Sequence, residues 1–228
     1  MDIATAKIVK IIPFPTKRRP TKAEAVRSGD GFKYFTEPQI KLIRRTARDA
    51  AQLARQKGQV TGVRDWMLID LLTSTGLREA EAADVRCGDI RAGYGQSALY
   101  VRNGKGDKSR TVQIPDSLKR HLKAFLVWKQ DRGEPTGQDD HLFVGQRGPW
   151  TGAGVAQTVK KYLRKLGLYE RGKSAHALRH SYAVELYRQE RDLRAVQKQL
   201  GHSSVQTTQR YADVLAEDIQ EQIKGLWN

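Results

Sequence analysis

For most of its length the chain places apolar residues at helical spacing. In "FTEPQIKLIRRTARDAAQLA", Ile40, Ile43, Ala47 and Ala50 recur on one face, behind Thr36 as an N-cap and Pro38 in the first turn. "RDWMLIDLLTST" is apolar nearly all round, which predicts a central, buried helix closed off by Gly76. "LREAEAADV" reads as a short helix. "DSLKRHLKAFLVWKQ" restarts a longer one, with Leu118, Leu122, Phe125 and Leu126 on one side. Thr151 caps a helix carrying Val155, Val159, Tyr162, Leu163 and Leu166, which ends at Gly167. "SAHALRHSYAVELYRQ", "DLRAVQKQL" and "SVQTTQRYADV" follow as three short helices, and "AEDIQEQIKGLW" closes the chain. One region breaks the pattern. In "GDIRAGYGQSALYVRNGKGDKSRTVQIP" the β-type runs "ALYV" and "RTVQI" flank "GKGD", a strand-turn-strand signal. The expected fold class is mainly α with a small antiparallel β-sheet (α+β), without internal repeats.

Residues 1–32 depart from this periodicity. "PFPTKRRPTKAEAVRSGDG" mixes prolines, basic residues and glycines, and reads as a flexible basic N-terminal arm ahead of one domain over 33–228. Arg18 and Arg19 lie there as candidate DNA contacts. An apolar fraction of 39% suits a folded protein. No apolar run reaches membrane-spanning length, and "IVKIIPFP" is short, broken by prolines and without a small-residue cleavage site. Cys87 is the only cysteine, which excludes an intrachain disulfide and fits a reducing compartment. Lys and Arg number 41 against 25 Asp and Glu, a net charge of +16. An excess of that size points to a polyanion, most simply nucleic acid.

Several segments carry polar groups that a core does not need. "TSTGLREAEAADV" offers Arg78 just past a glycine, with Glu81 three residues on. "NGKGDKSR" puts Lys105 and Lys108 near a hairpin tip. "HALRH" places His176 and Arg179 one helical turn apart. "QLGHSSVQTTQRYADV" sets His202 after a helix-stopping Gly201 and ends in Tyr211. Guanidinium forks suit phosphate oxygens, because they donate two parallel bonds and keep their charge. A tyrosine hydroxyl titrates near ~10, so as a nucleophile it needs a base or strong positive charge nearby. His176 can take that proton, and a hairpin lysine can protonate a departing alkoxide. The set suits phosphoryl transfer through a covalent phosphotyrosine. His176 and His180 at i, i+4 lack the glutamate of a zinc-protease helix, so no metal site is expected. His180 reads as a structural residue that caps or packs. Lys108 and Arg110 are candidate phosphate contacts, and so is Arg164 with Lys165, although a solvated face explains them equally well.

"TGLREAE", "GKGDKSR", "HALRHSYA" and "LGHSSVQTTQRYADV", in this order, resemble the tyrosine recombinase (phage integrase) family from about Phe32 to the chain end. The resemblance implies a catalytic set of Arg78, Lys105, His176, Arg179, His202 and the nucleophile Tyr211, with Glu81 in support. It favours Lys105 over Lys108. It also implies site-specific recombination of double-stranded DNA by an integrase or invertase, working without ATP, metal or other cofactor. A 3′-phosphotyrosine and a Holliday junction are the intermediates, and the working unit is a homotetramer on paired sites in the cytoplasm.

The family's usual helical core-binding domain has no counterpart before Phe32. The expectation is a naturally short enzyme; a core-binding or DNA-bending accessory protein, or an isolated fragment, are the alternatives. The rival functions are a type IB topoisomerase, which shares the chemistry, and a regulator that occupies DNA without cutting it.

Overall fold

A computed structural model describes residues 33–102, 109–171, 173–202, 208, 209, 211 and 212, all within the unit Lys33–Asn228. The first helix, α1 (Glu37–Gln56), starts where expected: Pro38 sits in its first turn and the Gln39 side-chain oxygen accepts the Thr36 N–H at 3.0 Å. Its buried line is Ile43, Ala47, Ala51 and Ala54. These small residues let α2 (Thr61–Thr75) approach closely; a Cβ on Gly62 would lie 2.8 Å from both the Ala50 carbonyl oxygen and the Ala54 Cβ. Val63, Met67, Leu68, Ile69, Leu71 and Leu72 are buried around α2, as its unbroken apolar run predicts. Each such side chain contributes roughly 1.5–3 kcal/mol of transfer free energy. This makes α2 the axle of the domain.

Gly76 ends α2 in the left-handed region (φ 62°), its N–H closing on the Leu72 carbonyl at 3.0 Å. The short α3 (Glu79–Asp84) follows, then a single 3-10 turn, and then the sheet of β1 (Ile90–Arg91), β2 (Ala98–Val101) and β3 (Arg110–Gln113). The order is β1-β2-β3, all antiparallel, with Leu99 opposite Ile90 on one side and Val112 on the other. The strand-turn-strand reading thus gains a two-residue first strand.

Helix α4 (Asp116–Asp131) buries Leu118, Leu122 and Phe125. A ribbon of β4 (Val144–Gly145) and β5 (Gly148–Pro149) then leads to α5 (Gly152–Lys165), where Thr151 Oγ1 accepts from the Gly154 N–H at 3.2 Å. The ribbon is too short to leave a periodic trace in the sequence.

Helix α6 (Ala175–Glu190) packs against both α2 and α7 (Leu193–Leu200). It is pinned from outside: the Phe35 N–H donates to Ser181 Oγ at 2.7 Å, and Ser181 Oγ to the Ala177 carbonyl at 2.8 Å. Helical backbone resumes at Thr208, Gln209, Tyr211 and Ala212, within the expected "SVQTTQRYADV" helix. The basic arm, the hairpin tip over 103–108 and the closing "AEDIQEQIKGLW" helix lie outside the described residues. Among those described, no helix is long and apolar enough to cross a membrane.

Candidate active site

Arg78 is the N-cap of α3, held in extended backbone conformation, so its side chain and that of Glu81 meet across the first turn. Arg78 Nη1 donates to Glu81 Oε1 at 2.6 Å, and the Arg78 backbone N–H donates to Oε2 at 2.9 Å. From β3, Arg110 lays a parallel fork on the same carboxylate, Nη1 to Oε1 and Nη2 to Oε2, both at 2.9 Å. Arg179 Nη1 stands 3.9 Å from Oε2. Three guanidinium charges around one carboxylate leave a surplus of two positive charges (3 − 1 = +2) in a poorly hydrated place. An incoming phosphodiester is the natural complement of that surplus.

Arg179 is 2% exposed and ties two helix ends together. Its Nη1 donates to the Gly76 carbonyl at 2.7 Å and its Nη2 to the Leu200 carbonyl at 2.8 Å, at the C-termini of α2 and α7. A cation is favoured there by the carbonyl ends of both helices. Burial, and next the Arg78 charge, push its pKa down to about 10, against the pull of Glu81. It remains charged at neutral pH.

The nucleophile candidate is not on the surface. Tyr211 is 1% exposed, and its hydroxyl lies 3.2 Å from His180 Nδ1. Its ring lies nearly parallel to that of His202, with centroids 6.1 Å apart. His202 follows Gly201, which adopts φ 67° and closes α7. The His202 N–H donates to the Gln197 carbonyl at 3.1 Å, Gln197 Nε2 donates to the His202 carbonyl at 3.0 Å, and His202 Nδ1 is 3.1 Å from Thr208 Oγ1. His176 is exposed and meets the His180 ring edge-on at 4.5 Å.

The described residues therefore bring Arg78, Glu81, Arg179, His176, His202 and Tyr211 to one end of the domain. Lys105, Lys108, Arg18 and Arg19 lie outside them. Two sequence expectations need correction. Arg110 does not lie on a solvated face, because its guanidinium is turned inward onto Glu81 with 11% of the side chain exposed. The signal was present: β3 alternates, and Arg110 shares the inward side with buried Val112. His180 is more than a packing residue, because its ring nitrogen is within hydrogen-bond distance of the Tyr211 hydroxyl. His176 and Arg179 share a helix turn but differ in burial, one exposed and the other enclosed.

A second basic feature lies away from this cluster. Gln157, Lys160, Lys161 and Arg164 of α5 line an open cavity of about 500 Å³. Lys160 and Arg164 rest over the Tyr169 ring, at 4.8 and 5.2 Å from its centroid, and Lys161 pairs with Asp65.

A model of the phage integrase family matches residues 33–218. The tyrosine recombinase XerC of Rhodospirillum centenum is 37% identical over 181 residues, covering 76% of this chain and 50% of that protein. XerA of Pyrococcus furiosus is 34% identical over 169 residues, covering 71% and 54%. Among solved structures, the XerH site-specific recombinase bound to palindromic difH substrate, a post-cleavage complex, matches with a TM-score of 0.70 at 25% identity, over 86% of this chain and 53% of that one. The chain spans about half the length of these relatives.

Proposed function

The chain belongs to the phage integrase family, and on that footing we propose that it is a site-specific DNA recombinase whose nucleophile is Tyr211. The observation that carries the reading is the cationic surplus around Glu81, one helix end away from a buried tyrosine hydroxyl that a histidine already meets. Arg78 and Arg179 hold the non-bridging oxygens of the scissile phosphate and offset charge as it builds in the transition state. The Tyr211 oxygen attacks phosphorus and gives its proton to the histidine cluster. The bond from phosphorus to the 5′ oxygen breaks, a 3′-phosphotyrosyl bond forms, and Lys105 supplies the proton for the released 5′-hydroxyl. The 5′-hydroxyl of a second strand then reverses the attack, so that two rounds pass through a Holliday junction. One phosphodiester is exchanged for another at each step, so ATP is not required.

The partner is double-stranded DNA, held by four copies on paired sites in the cytoplasm, with an accessory DNA-bending or core-binding protein where the chain's own grip is insufficient. The basic cavity on α5 supports a phosphate contact beyond the reacting one.

The test uses a palindromic duplex of the difH type, nicked beside the cleavage point so that the short flanking strand escapes after attack. Wild-type protein is expected to form an SDS-resistant adduct, and Tyr211→Phe to form none while binding the duplex equally well. Strand exchange between two labelled duplexes completes the assignment. Plasmid relaxation without exchange would reassign the chain to topoisomerase chemistry, and a sharp gel shift without any adduct would make it a binding protein.

A further inference from the structure

Arg110 opens β3, and its side chain runs into the domain. Both terminal nitrogens are spent on Glu81 at 2.9 Å, and Nε reaches the Gln199 carbonyl of α7 at 3.3 Å. Gln199 returns the contact. Its Oε1 accepts the Gln113 N–H at 3.1 Å, and its Nε2 donates to the Gln113 carbonyl at 2.6 Å and to the Tyr182 hydroxyl at 3.0 Å. One acceptor and one donor on a single strand residue is what a neighbouring strand would provide. An α7 side chain therefore caps the open edge of the sheet. Gly201 completes the junction: a Cβ there would lie 2.7 Å from Arg110 Cδ, so the turn into His202 runs directly over the arginine stem.

We infer that Arg110 and Gln199 are positioning residues, which lock the β2–β3 hairpin to Glu81 and to the end of α7. The lock matters because the proposed catalytic groups come from separate parts of the chain: Arg78 from the start of α3, Lys105 from between β2 and β3 in sequence, Arg179 from α6 and His202 from beyond α7. Misplacing a reacting group by 1 Å costs on the order of a hundredfold in rate. A planar fork holds both carboxylate oxygens at fixed angles, which a lysine point charge does not. Burial would raise the Glu81 carboxyl, and the Arg110 bonds are the largest influence holding it down.

The activity test rests on the recombinase reading, and a second readout does not. With the full chain and the nicked duplex, Arg110→Lys is expected to slow single-turnover adduct formation at saturating DNA by roughly 10–100-fold. Its duplex Kd should stay within about twofold at the same salt, since a buried fork releases no counterions. Gln199→Leu is expected to act in the same direction, and the double variant to lose less than the product of the two singles, because both cut one connection. A loosened Kd with an unchanged rate would overturn the inference, as would fully multiplicative losses. If Arg110→Lys fails to fold, Gln199→Leu carries the test alone. If wild-type protein forms no adduct, the recombinase reading fails, and the lock is read without DNA from hydrogen exchange at the Gln113 N–H. Exchange at least ~10-fold faster in Gln199→Leu supports the lock; unchanged protection removes it.

Discussion

Burial alone would lift the Glu81 carboxyl, but the Arg110 fork, the Arg78 N–H and the charges behind both hold its pKa at about 2, below the 4.5 of a free glutamate. A depressed acid contributes stability above its unfolded pKa and loses it as pH falls through its folded one. The window is therefore pH 4.5 down to about 2. At 1.36 kcal/mol per unit the contribution is on the order of 3 kcal/mol at neutral pH. Glu81→Gln is expected to lose about that much in urea unfolding at pH 7, because three guanidiniums then face a neutral amide. The same variant should show a shallower fall in stability below pH 4.5 than wild type. It should retain some slope, because Asp70 is also depressed: the His121 bond and the Arg44 charge outweigh the effect of its burial. An acid limb of undiminished steepness in Glu81→Gln would place the linkage elsewhere.

At the scale of elements, the site depends on where helices stop. Gly76 ends α2 at φ 62°, and a Cβ there would lie 2.5 Å from the Tyr182 ring, while its carbonyl receives Arg179. Gly76→Ala meets a left-handed strain of roughly 1–2 kcal/mol and an overpacking cost of similar size. It should lower Tm by about 4–8 °C or more. Gly95 has φ 68° with nothing within 4 Å of its missing Cβ, so Gly95→Ala isolates the strain and should cost about half as much. Equal losses in the two variants would show that the Tyr182 contact yields freely. Such stops were legible in the sequence because a glycine or a capping threonine is a local signal, and the ends at Gly76, Gly167 and Gly201 and the start at Thr151 fall where the sequence put them. The motifs also named the residues that gather around Glu81 and Tyr211. Arg110 was misread because its type suggested solvent while its register pointed inward, and register is fixed by pairing with β2. His180 was missed because its partner Tyr211 is 31 residues away, on a segment that the pattern of α6 does not mention.

For the whole molecule, the +16 charge and the proposed catalytic cluster bear on different quantities. The cluster around Glu81 is small and enclosed, so in the proposed reaction it acts on one phosphate rather than setting overall affinity. Affinity needs phosphate contacts spread along a duplex, and the α5 cavity is placed for that. Lys161 pairs with Asp65 near the start of α2, whereas Arg179 binds Gly76 at its end, about 16 Å farther along that helix. Lys160 and Arg164, whose charged ends rest over the Tyr169 ring, line the cavity, while the Lys161 charge is partly spent on Asp65. Each phosphate contact adds about 0.9 to the slope of log K against log salt. Lys160→Ala and Arg164→Ala should each reduce that slope by about one, while the adduct rate at saturating DNA stays at the wild-type level. Lys161→Ala should move the slope less than either. A slope unchanged by all three would put the phosphate contacts on other basic residues and leave the cavity facing solvent. A slope reduced together with the saturated rate would mean that α5 helps place the reacting phosphate, which its distance along α2 argues against.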